Sequence, residues 1–200
     1  MRYRIPRTAV AIVVAVLLSA CAFMPGTAAI DYVPDGPVTP VAGAKAVLLT
    51  VSASDQRMQH ADRISTKKSF AGIEMARIVA DNDVVDLVRR SVERGLRAQG
   101  FAIGPGRLVV SVELQNFYND FRRRLDSWTE VGEVVFSLKV TNAGGTVLYS
   151  GSYDGTAIDS FFVSSASNAQ ESLQKALTMA IRKMLEDKAL QQALLSAARS

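Results

Sequence analysis

Hydrophobic and polar residues alternate most cleanly in two stretches of this chain. Leu108, Val110, Val112 and Leu114 interleave with Val109, Ser111, Glu113 and Gln115; Val134, Phe136, Leu138 and Val140 interleave with Glu133, Val135, Ser137 and Lys139. Successive strand side chains point to opposite faces, so each stretch predicts a strand in a sheet covered on one side only. Residues 45–53 alternate likewise, with Val47, Leu49, Val51 and Ala53 on one face. Residues 142–145 predict a hairpin turn and 146–157 a returning strand, which Gly151 and Gly155 weaken toward an edge or a bulge. Ile73, Met75, Arg77 and Val79 outline one more extended segment, paired near Ile64 to Thr66, in an otherwise polar run.

Two stretches change to helical spacing. Val84, Val85, Val88, Val92 and Leu96 fall on one helix face, behind Asp81, Asn82 and Asp83, which suit free N–H groups and the positive end of the dipole. Gly100 ends that helix, and Gly104-Pro105-Gly106 is a turn. Leu173, Ala176, Leu177, Ala180, Ile181 and Met184 stripe a second helix, with Ser167 and Gln170 spaced as a capping box. Residues 188–200 add a shorter helix through Leu190, Leu194 and Leu195. The order β-α-β-β-β-α predicts an α+β two-layer sandwich: a mostly antiparallel sheet of four strands, or slightly more, with two helices on one face.

The N-terminus reads differently. Arg2, Arg4 and Arg7 precede an apolar run over residues 9–18, then Ser19, Ala20 and the sole cysteine, Cys21. A charged start, a short apolar core and a small-residue exit define an export signal. The core is about half the ~20 residues a spanning helix needs. Cleavage between Ala20 and Cys21 with lipid on Cys21 is the reading that accounts for a lone cysteine there; a bare thiol in an oxidising compartment is the weaker one. Residues 22–44 carry Pro25, Pro34, Pro37, Pro40, Gly26, Gly36 and Gly43 and no apolar period, which predicts a flexible tether, ~75 Å when extended. The domains expected are a signal peptide (1–20), lipidated Cys21 with the tether (21–44) and one periplasmic domain (45–200).

Charge narrows the function classes. Of the net charge of +4, the leader's three arginines account for three, leaving +1. No clustered basic face suggests nucleic acid. The single histidine, His60, lies in a polar segment near Asp55 and Asp62, but a triad needs a nucleophile and an orienting acid converging on it and a metal site needs more than one histidine or a free thiol; the acids Asp81, Asp83 and Asp86 are explained by a helix start. No cofactor, metal or catalytic residue is expected. The segment with the most recognition chemistry is the connection 117–128, where Phe117, Tyr118, Phe121 and Trp128 flank Arg122, Arg123 and Arg124. Aromatics and arginine dominate interface hot spots, and guanidinium grips phosphate or carboxylate bidentately. The alternative is a loop whose aromatics fold back on the sheet.

Several short markers carry a family resemblance. They are the 18–21 signal, Asp55-Gln56-Arg57 after the first strand, Leu96 to Phe101 leading into Gly104-Pro105, and the strand at 108–114 running into Phe117-Tyr118. With these the chain resembles the YajG family of small bacterial lipoproteins over nearly its whole length, departing from it around 121–128. The resemblance implies an acylated (palmitate-type) anchor on Cys21. Ala22 stands where lipoproteins retained in the inner membrane usually carry Asp, which implies the outer membrane with the domain facing the periplasm. The function expected is a non-catalytic binding or accessory module of the cell envelope, with an envelope protein or an anionic envelope ligand as partner. A hydrolase of cell-wall or lipid substrates and an architectural homo-oligomer are the alternatives.

Overall fold

The computed structural model describes residues 23–69, 71–123, 128–161 and 164–197. The signal peptide, Cys21, Arg124 and the side chain of Trp128 lie outside the described residues. In chain order the elements are β1 (Gly26–Ala28), β2 (Leu48–Asp55), β3 (Ser65–Lys68), β4 (Glu74–Ala80), α1 (Val84–Ala98), β5 (Ala102–Ile103), β6 (Leu108–Arg123), β7 (Trp128–Thr141), β8 (Val147–Phe161), α2 (Ala166–Glu186) and α3 (Lys188–Ala197). The fold is α+β, but among the described residues its sheet has eight strands and is mixed, where four strands or slightly more, mostly antiparallel and in the order β-α-β-β-β-α, were expected, and the element order differs accordingly. The chain crosses from β2 by way of β3, β4 and α1 before β6 pairs beside β2, and the two strands run parallel.

β6 organises this sheet. Along one edge it pairs antiparallel with β7 over nearly its full length, and β7 pairs in turn with β8. The other edge is divided: the first half binds β2, from Leu108 to Leu114, and the second half binds β3, where Ser65 faces Asn119. A β-bulge falls between these partners, because Leu114 faces Phe136 while Asn116 already faces Val135, leaving Gln115 as the extra residue. An extra residue reverses which side chains point inward. Leu108, Val110, Val112 and Leu114 are buried before it; Phe117, Asn119 and Phe121 are buried after it. Residues 117–123, expected as an interstrand connection, are therefore strand.

The helices cover one face, as expected. Asp83 caps α1 by accepting from Val85 N–H and Asp86 N–H. Asn82 turns away and exchanges two hydrogen bonds with the backbone of Ile30. On α2 the cap is Ser165, which accepts from Asn168 N–H, instead of the Ser167–Gln170 box. Leu173, Leu177 and Ile181 are fully buried against the sheet, each stabilising by roughly 1.5–3 kcal/mol. In β4 the inward residue is Ile78, of the parity opposite to that expected, while Arg77 faces solvent.

Residues 26–44 are docked, which corrects the tether reading. β1 pairs parallel with β4, and Ala28, Ile30 and Tyr32 are buried at alternate positions. Thr178 donates to the Val33 carbonyl, Arg94 to that of Tyr32, and Arg182 pairs with Asp35 at 2.6 Å. Proline and glycine lower regular pairing, but a period-2 apolar pattern with side-chain partners still binds an edge.

Among the described residues β8 pairs only with β7 and is a sheet edge, as its glycines suggested, and Gly155 also marks the place where α2 crosses it. A Cβ there would collide with the Ala176 carbonyl, and one at Gly132 with Ser172. Gly155→Ala and Gly132→Ala are each expected to cost about 1–3 kcal/mol or more, through overpacking against helix backbone. Gly104→Ala, whose Cβ would meet Leu48 at an ordinary 3.5 Å, should stay within about 0.5 kcal/mol of wild type. Equilibrium urea unfolding checks this; equal stability of all three variants would refute the close approach.

Candidate functional site: a groove on the open sheet face

After the bulge, the outward residues of β6 are Asn116, Tyr118, Asp120 and Arg122, beside Val131 and Glu133 of β7. No helix covers them. With the loop before β3 they form a groove of about 470 Å³ that also includes Met58, His60 and Glu74. The loop wall is fixed by Arg57, whose guanidinium grips Asp55 at 2.9 and 2.7 Å and donates to the Ala61 carbonyl at 3.1 Å. Those contacts hold the Asp55 carboxyl below the usual carboxylate range. So Asp55 and Arg57, read as a family marker, build the wall.

On that wall His60 adopts a positive φ of 56° and stacks on Tyr118, ring centroids 3.9 Å apart. Arg63 donates to His60 Nδ1 at 3.3 Å, and the Tyr118 hydroxyl meets Thr66 Oγ1 at 3.2 Å. On the floor Asn116 donates to Glu133 at 2.6 Å. Asp120 sits between Lys68 at 2.8 Å and Arg122 at 2.9 Å. Its burial opposes ionisation, yet the two cations hold its carboxyl below the usual range. The result is a polar trough with one stacked aromatic pair and an exposed arginine at its end, suited to recognition by stacking and charge.

The expected binding residues separate here. Tyr118 and Arg122 line the groove. Phe117 and Phe121 do not: they are core residues, 0 % and 1 % exposed. Arg123 is exposed next to Arg122 at the end of β6. Arg124 and the Trp128 side chain lie outside the described residues. The partner that sequence reasoning missed is His60, because nothing local in the sequence joins residue 60 to residue 118. Among the described residues no group of His, Cys, Asp or Glu is placed to hold a metal ion.

The covered face holds a second polar cluster. Glu130 of β7 is fully buried, and neither carboxylate oxygen has a hydrogen-bond partner among the described residues; the same is true of Asn119 Oδ1 and Ser172 Oγ nearby in the fold. Burial, then the negative charges of Asp159 and Glu171, push the Glu130 carboxyl up to about 8, against a weaker pull from Lys175. Lys175 is already shared by Asp159 at 3.0 Å and Glu171 at 2.9 Å. A general acid must reach its substrate, and Glu130 has no exposed surface, so it is a neutral core group at pH 7.

The described domain is thus a helix-covered α+β sheet with an open, polar face. A family model described as "uncharacterized lipoprotein" matches residues 34–195, and the chain belongs to that lipoprotein family, the YajG family it resembles. The family description names no activity. Among solved structures, the chain is similar to a protein from Xanthomonas campestris, at TM-score 0.56 and 14 % identity, over 81 % of this chain and 92 % of that one. It is also similar to a minor lipoprotein from Acinetobacter baumannii, at TM-score 0.43 and 8 % identity, over 76 % and 96 %. The first likeness concerns the fold alone. No curated protein matches the chain. No described helix is long and apolar enough to cross a membrane.

Glu130 gives a pH prediction. The unfolded chain loses this proton near the ordinary 4.5, whereas the folded protein keeps it until about 8. Between those values the folded state binds more protons, so stability falls as pH rises, by at most about 1.4 kcal/mol per pH unit. Glu130→Gln should flatten the fall and raise the Tm above that of wild type at pH 8.5, as followed by thermal unfolding from pH 5 to 8.5. Parallel pH profiles for the two proteins would mean that Glu130 is ionised in the fold.

Proposed function

We propose that this protein is a lipid-anchored module of the bacterial cell envelope that binds a partner protein or an anionic envelope ligand and catalyses no reaction. In this reading the signal is cut between Ala20 and Cys21, and Cys21 carries the lipid. The domain faces the periplasm from the outer membrane, consistent with Ala22 following the cysteine. Family membership supports the anchor. The observation that carries the binding role is the groove in which the His60–Tyr118 stack stands beside Arg122 on the uncovered face. Stacked rings give rigid contact area at low entropic cost, and an exposed guanidinium supplies a bidentate grip.

The test is photocrosslinking in cells from Met58, which is 96 % exposed on the groove wall, and from Glu74, also exposed on the groove. Both positions are expected to give one common adduct. Arg122→Ser should reduce the Met58 adduct by roughly tenfold, as loss of a hot spot above about 1.4 kcal/mol would. Unrelated adducts, or an Arg122→Ser yield equal to wild type, would remove the groove as the site. Separately, Cys21→Ser should move the protein from the membrane to the soluble periplasmic fraction, and continued membrane retention would argue against the lipid.

A further inference from the structure

The chain enters the domain at one end of the sheet. Gly26 faces Ile78, Ile78 faces Ser65, and Ser65 faces Asn119, so four strands lie level at these residues. β1 runs away from that end, while β6 runs toward it for four more residues and finishes at Arg123. Residues before Gly26 are thus led toward the side of Arg122 and Arg123. Lys67 fixes this course by donating to the Met24 carbonyl at 3.0 Å.

Two lengths then decide the orientation. Cys21 stands five residues before Gly26 and can reach at most ~17 Å from it. β6 extends past the same level by four residues, ~13 Å. The reach of the anchor is comparable to the overhang of the strand, so a domain held at Cys21 has no slack to stand away from the bilayer.

That end carries the side chains a bilayer surface takes. Phe23, Met24 and Ile73 are 64 %, 60 % and 67 % exposed. Arg122 and Arg123 are exposed beside them, and the Asp120 carboxylate is matched by Lys68 and Arg122. Among the described residues Glu74 is an exposed acid at this end. Apolar side chains enter the boundary between headgroups and acyl chains, and guanidinium binds lipid phosphate. We propose that the end formed by Phe23, Met24, Ile73, Arg122 and Arg123 rests on the phospholipid headgroup layer of the membrane that holds the anchor. This rests on the reading that Cys21 is lipidated. It leaves the groove's Arg122 end at the membrane, so a ligand there meets protein and lipid together.

The test uses the full mature lipoprotein in vesicles of phosphatidylethanolamine and phosphatidylglycerol. Lipid occupies Cys21, so Ile73→Cys, or Val147→Cys at the opposite end, supplies the single thiol for a spin label; both positions are exposed. The label at 73 is expected to lose accessibility to a water-soluble nickel chelate and gain it to oxygen on reconstitution, with the label at 147 unchanged. If the protein floats with the vesicles but residue 73 stays as chelate-accessible as residue 147, the orientation is overturned and the anchor stands. Protein that does not float with the vesicles overturns the anchor and the orientation with it.

Discussion

A strand of sixteen residues presents more backbone donors and acceptors than an eight-residue neighbour can satisfy, and buried backbone groups must be paired. β6 meets this constraint by dividing one edge between β2 and β3. The division needs a break, and the bulge at Gln115 provides it where β2 ends: Leu114 still accepts from Gln56 N–H, and Asn119 N–H then donates to the Ile64 carbonyl. The extra residue also exchanges the two faces of the strand. Core and groove in the second half are set by that one residue, with Phe117 and Phe121 inward and Tyr118 and Arg122 outward.

The opposite face depends on small residues. α2 approaches β7 and β8 closely at Gly132 and Gly155 because neither carries a Cβ. The same proximity seals Glu130 beneath the helix. A carboxyl without hydrogen-bond partners is tolerable there only in its neutral form, since burying an unpaired charge costs far more than burying a neutral acid. Packing and protonation on this side are thus one property.

Much of the fold was legible in the sequence. The faces of β6 before the bulge and of β7 over residues 133–140 follow a single period that burial repeats, and the helix stripes hold except that Val85 is half-buried while Leu87 is buried. The extended segment near residues 73–79 and its pairing with residues 64–66 were legible as well, as β4 and β3. What was not legible breaks a period or depends on distant partners. Phe117 to Arg123 looked like a connection because alternation lapses at Gln115. Residues 26–32 hid a strand-like pattern, small Gly26 and Ala28 followed by Ile30 and Tyr32, among prolines that signalled a linker. His60 and Tyr118 are 58 positions apart, and only the split edge of β6 brings them together. Half of the groove was therefore readable as an aromatic and basic segment, and its other wall was not.

The docked N-terminal segment redraws the boundary of the folding unit. β1 occupies the edge of β4, Ile30 completes the bonding of Asn82, and Val33 and Asp35 engage α2 through Thr178 and Arg182. A polypeptide cut at Lys45, where regular alternation begins, would lack the strand that shields this edge and leave backbone groups of β4 free to recruit another chain. Proteolytic trimming in the envelope at residues 26–35 would accordingly do more than release a tethered domain. It would remove the segment that precedes the domain and open a sheet edge in the same event, so that one cut changes both what the domain is attached to and what it can pair with.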